Sequence, residues 1–142
     1  MTSGIYDRFK ANLMNGVVDL EADTINVALC DGSDLTIDVT DAVLTDYIPV
    51  PNAAPELLVG ATGYTAGGAP LANMVVTEAT TTDWTADPLS WTSSTFTTYA
   101  CLIYDITATS NLICFIDFGG PQTVTAGTFT IQWNASGIIT LA

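Results

Sequence analysis

Histidine is absent from this 142-residue sequence, and only two residues are basic. Without imidazole there is no Ser-His or Cys-His pair of the usual kind and no imidazole metal ligand, so the commonest routes to an activated nucleophile are closed. Arg8 and Lys10 stand close together near the N-terminus, and no basic side chain follows them. Against fifteen acidic residues they leave a formal charge of −13. Such a surface repels phosphate backbones, which argues against nucleic-acid binding. Charge of either sign is scarce, at 12% of residues against roughly 25% in average proteins. Long apolar runs are missing too. The longest, Tyr99 to Tyr104 and Leu112 to Ile116, fall far short of a membrane span. Thr2 to Gly16 contain no basic region followed by a continuous apolar core, so no secretory signal is expected and synthesis in a cytoplasm is the default. Cys30, Cys101 and Cys114 are odd in number and form no CxxC pair, so three buried free thiols are expected.

What is present points to a β-rich core. Hydrophobic residues make up 49% of the chain, enough for one domain spanning residues 1–142 without disulfide or metal staples. Threonine fills much of the space that charge leaves, and its branched β-carbon favours strands. Ile5, Phe9 and Leu13 recur every four residues, which predicts one N-terminal helix over Gly4 to Asn15, capped by Ser3 and stopped by Asn15-Gly16. Its stripe is expected to serve the protein's own core. Strands are expected at Thr24 to Cys30, Leu71 to Ala79, Asp83 to Ala86 and Leu89 to Thr92. Further strands follow at Phe96 to Ile106, Leu112 to Phe118, Gly127 to Trp133 and Gly137 to Leu141. Many short strands with turn signals between them imply an antiparallel β-sandwich or jelly-roll-like fold. Segments 99–104 and 112–118 are apolar on both alternating faces and should be central. Residues 31–63 form a long irregular excursion between the helical residues 1–16 and a β-rich core over 64–142, and excursions of that length are often functional.

Reactive chemistry is hard to build from this inventory. The glycines at 60, 63, 67 and 68 match neither dinucleotide nor Walker spacing, so they are assigned to turns. Asp31, Asp34, Asp38, Asp41 and Asp46 cluster in the excursion, and an Asp-rich loop around Asp31, Asp34 and Asp38 suits calcium. Their spacing is not an EF-hand, and solvated loop carboxylates are favoured over calcium, calcium over catalysis. No cofactor is therefore expected. Trp84, Trp91 and Trp133, with Tyr64, Tyr99, Tyr104, Phe115, Phe118 and Phe129, are spread over separate strands, which fits a shared core better than a ligand-stacking set.

Several segments, taken in order, resemble a family of small structural proteins of tailed bacteriophage particles. They are the helix into Asn15-Gly16, then Asp19-Leu20 and Asp23-Thr24-Ile25 running to Val27-Ala28-Leu29, and Gly63-Tyr64-Thr65-Ala66-Gly67-Gly68 with Leu71-Ala72-Asn73. Trp91, Tyr104, Ile116-Asp117-Phe118-Gly119-Gly120 and Thr128-Phe129-Thr130-Ile131-Gln132-Trp133 with Gly137-Ile138 complete the series. Only Asp31 to Thr62 has no counterpart. The resemblance implies a non-enzymatic virion component, first of all a capsid decoration or cement protein on the exterior of the particle. The major capsid protein would be its partner, a homotrimer its assembly state, and no membrane would be involved. A tail, neck or fibre component, also adhesive, is the runner-up, and a carbohydrate-binding module comes third. The partner-contact candidates are Arg8 and Lys10 on the helix and Tyr47, Ile48, Pro49, Val50, Pro51 and Pro55 in the excursion. Of the two segments the excursion is favoured, because its prolines reduce the entropy lost on docking.

Overall fold

The computed structural model describes residues 3–32, 38–40, 58 and 60–142. It is mainly β: two antiparallel sheets and one short helix near the N-terminus, in a sandwich-like arrangement. The strands are β1 (Gly4–Ile5), β2 (Ile25–Cys30), β3 (Ala69–Pro70), β4 (Val75–Thr77), β5 (Thr82–Thr85), β6 (Leu89–Asp105), β7 (Asn111–Ile131) and β8 (Ile139–Leu141), and the helix is α1 (Asp7–Met14). One sheet has the order β1-β7-β6-β2-β3 and the other β4-β5-β8.

Strands β2, β6 and β7 are central because their apolar residues occupy both alternating faces. Ile25, Val27, Leu29, Cys101, Ile103 and Ile113 point into the core shared with Trp84 and Ile139 of the smaller sheet and Phe9 of α1. Ala28, Cys30, Ala100, Leu102, Tyr104, Leu112 and Phe115 form a second cluster with Tyr6. Burial on both faces is what the apolar runs at 99–104 and 112–118 predict. The three cysteines are buried, and none is joined in a disulfide. Cys101 pairs with Ile116 and Cys114 with Ile103, so the two thiols are offset along their neighbouring strands.

The N-terminus departs from expectation. Gly4 and Ile5 leave the helix and pair with Phe115 and Cys114. Ser3 does not cap α1; its Oγ accepts a hydrogen bond from the Asp117 N–H (3.0 Å). The capping position falls to Tyr6, whose side chain does not bond to the helix N–H groups. The extended segment has its backbone satisfied by β7, and the Tyr6 N–H continues the pairing to the Ile113 carbonyl (3.0 Å). The stop at Asn15-Gly16 does occur, with Gly16 supplying the positive φ (64°).

The second departure is strand length. Four predicted strands are two: β6 runs for 17 residues and β7 for 21. Gly119 and Gly120 lie where the predicted strand at Leu112 to Phe118 ends, but they form part of a bulge. Asp117 pairs with Ala100 and Gln122 with Thr98, so residues 118–121 stand opposite Tyr99 alone. A large insertion on one strand bends a sheet sharply without ending it. Beyond the bend the two strands continue as a ribbon whose inner face carries Trp91, Phe96 and Phe129 and whose outer face is hydroxyl-rich. There Ser90 meets Thr130 (2.7 Å) and Thr97 meets Thr123 (2.9 Å). The predicted strand at Leu71 to Ala79 shrinks to β4, since Asn73 takes a positive φ (50°) just before it.

Candidate functional site

The bend in β7 creates a groove of about 560 Å³. Its walls come from both limbs of β7, with Ile116 and Phe118 before the bulge and Gln122, Phe129 and Ile131 after it. Gln132, Trp133, Asn134, Ile138 and Ser3 also belong to the lining. Phe118 and Phe129 are half-buried, their ring centroids 6.2 Å apart and their planes tilted by 57°. Phe129 is braced behind by Trp91 and Phe96, at 6.0 and 5.3 Å. The Trp133 indole N–H donates to the Asp87 carbonyl (2.8 Å), which fixes that ring. No charged side chain is among the described residues of the lining. The sequence carries the cause: residues 118–142 hold none of the chain's seventeen charged groups.

A second groove, of about 340 Å³, lies between α1 and the smaller sheet. Phe9, Leu13, Val18, Leu20, Val76, Trp84 and Leu141 line it. Of that lining Val76 (38%) and Leu141 (49%) stand exposed, and Met14 (88%) and Val17 (50%) are exposed next in sequence to the lining residues Leu13, Gly16 and Val18. Glu21 Oε1 accepts the Val76 N–H (3.0 Å), occupying one backbone donor of edge strand β4. An acid on an edge opposes further strand pairing there.

Asp105 is the one buried carboxyl among the described residues. Its Oδ1 accepts the Ala108 N–H (3.1 Å), while Oδ2 finds no donor. Burial raises its pKa, and the neighbouring Asp23 carboxyl adds to the shift. Asp23 is in turn tied to its own turn, its Oδ2 accepting the Asp19 N–H (2.7 Å). The Tyr64 hydroxyl is pushed up to about 12 by burial. Its role is structural, since it accepts the Leu29 N–H (2.9 Å) on the side of β2 that β3 leaves uncovered.

The candidates from sequence fall in different places. Arg8 and Lys10 lie on the exposed side of α1, and Lys10 Nζ contacts Asp7 Oδ1 at 2.8 Å. Both partners are more than half exposed, so this pair adds little stability. Tyr47, Ile48, Pro49, Val50, Pro51 and Pro55 lie outside the described residues, as do Asp34, Asp41 and Asp46. Asp38 is exposed, and hydrogen bonds from the Thr40 hydroxyl (2.7 Å) and N–H (2.9 Å) hold its carboxyl below the usual range. Among the described residues no three potential ligand side chains gather as a metal site would need. Nor is any helix among them long and apolar enough to cross a membrane. Sequence reasoning assigned Phe118 and Phe129 to a shared core and missed the groove. The available signal was the charge-free C-terminal stretch with its glutamines and asparagine. No family model, curated protein or solved structure matches the chain.

Proposed function

We propose that the chain is a non-enzymatic structural protein of a tailed bacteriophage particle that decorates the capsid by binding the major capsid protein. The observation that carries a docking role is the apolar surface around the groove between α1 and the smaller sheet. Val76 and Leu141 stand exposed in its lining, with Met14 and Val17 exposed next in sequence to lining residues, beside the helix bearing Arg8 and Lys10, the chain's two basic residues. Exposed apolar surface of that kind marks a protein contact more often than a free face. The ordered series of segments from Asn15-Gly16 to Gly137-Ile138 supports the virion setting. The acidic chain suits a lattice offering Lys and Arg, with charge setting the approach and apolar contact the residence time. Self-association as a trimer belongs to the same proposal, and its contact would have to be neutral, given −13 per chain.

Quantitative mass spectrometry of purified particles tests it. Hundreds of copies per particle are expected of a lattice-bound protein. A handful would move the chain to the tail, neck or a fibre, and its absence from particles would overturn the virion reading.

A further inference from the structure

The described lining of the groove at the bend of β7 is without charge in a strongly acidic chain. The chain carries fifteen carboxylates, yet none is among the described residues of this lining. What lines it instead is aromatic, amide and aliphatic: Phe118, Phe129 and Trp133 with Gln122, Gln132 and Asn134, and three isoleucines. Its volume, about 560 Å³, falls within the range of small-molecule sites, roughly 300–1,000 Å³. From this the geometry points to a binding site for a neutral oligosaccharide.

The match is chemical. A pyranose ring has an apolar C–H face and a rim of hydroxyls that both donate and accept hydrogen bonds. Aromatic walls take the first, and side-chain amides, each offering a carbonyl and an NH₂, take the second. Ring contacts behind Phe129 and the Trp133 hydrogen bond hold two walls in place before any ligand arrives. Less ordering is then lost on binding. Charge selects among sugars: uronic, sialylated or phosphorylated chains meet the repulsion of a −13 protein, whereas a neutral glycan does not. Glycoside hydrolysis ordinarily needs two carboxyls flanking the bond. This lining offers a glycan a place to be held, with no group on the described walls to cut it.

Isothermal titration of the full chain with maltohexaose, cellohexaose and N-acetylchitohexaose, with oligogalacturonate as the anionic control, tests this site. Saturable binding of at least one neutral sugar is expected, with Kd near or below about 1 mM, and none of the anionic control. Phe118→Ala should weaken it by about tenfold or more. Gln132→Ala, at an exposed position where folding is not at stake, should weaken it as well. Silence from all three neutral sugars, unchanged affinity in both variants, or saturation by a proline-rich peptide alone would each overturn the assignment. The result is independent of particle membership, because it is measured on the isolated protein.

Discussion

Asp105 and Asp23 bring two carboxyls together at the end of the larger sheet, one of them fully buried with an oxygen that no donor reaches. Around them the Ile106 N–H donates to the Thr24 carbonyl and the Thr24 N–H to the Thr107 hydroxyl, both at 2.9 Å. Folding raises the Asp105 pKa, so the folded state holds its proton more tightly than the unfolded chain does. That stabilisation is complete below the ordinary value of 3.8 and is lost as pH climbs through the folded value. Asp105→Asn carries a permanent donor in place of the proton. The variant should melt higher than the native protein at pH 7 and lose part of the native decline in Tm between pH 4 and 7. Parallel Tm profiles for the two proteins would show that Asp105 does not carry this pH dependence.

Gly68 should tolerate no side chain. Its φ is +83°, and a Cβ would overlap the Val27 carbonyl of β2. Gly68→Ala is expected to cost about 3 kcal/mol from overlap and left-handed strain together. That corresponds to a fall in Tm of roughly 10 °C by calorimetry. A variant melting within a degree or two of the native protein would show that the loop shifts freely away from β2.

The thiols should be inert in the folded protein. Burial pushes Cys114 up to about 12 and Cys101 well above its ordinary value, leaving almost no thiolate to react. Iodoacetamide at pH 8 should label none of the three in native protein and all three in denaturant. A native Cys101–Cys114 disulfide, seen by mass spectrometry without reduction, would contradict this.

Met14 is 88% exposed, so Met14→Asp should leave the folding stability within about 0.5 kcal/mol of the native value. On the proposed function it should nevertheless reduce occupancy on particles, because a charge enters the apolar contact. Wild-type occupancy would shift attention to residues 47 to 58, whose shortening is the next variant to assay.

Much of the architecture is legible in the sequence because it follows from alternation. Ile25 to Cys30, Tyr99 to Tyr104 and Leu112 to Ile116 are apolar on both faces, and they are the central strands. The misreadings share a cause: local signals gave way to pairing partners distant in sequence. Ser3 reads as a cap, yet it bonds to Asp117, 114 residues away. Leu112 to Phe118 and Gly127 to Trp133 read as separate strands, yet the opposing strand β6 carries β7 through from one to the other. The groove was illegible for the same reason, since Phe118 and Phe129 become its walls only when the bulge folds the two limbs of β7 toward each other.

That distant pairing also dictates an order of events. Strand β1 cannot form until residues 114 and 115 exist, and β2 waits for residues 100 to 105. The β6–β7 hairpin, whose own loop spans only residues 106–110, is the one large unit with partners close at hand. Closing a short loop first costs the least entropy, so this hairpin is expected to lead folding and the N-terminal elements to dock last. Substitutions such as Leu102→Ala should then slow refolding, while Phe9→Ala should chiefly speed unfolding, a contrast that stopped-flow kinetics can read. During synthesis the first thirty residues would leave the ribosome well ahead of the strands that cover them. The aspartates that follow, at 31, 34, 38, 41 and 46, give that waiting segment a like charge that keeps it from sticking to its neighbours.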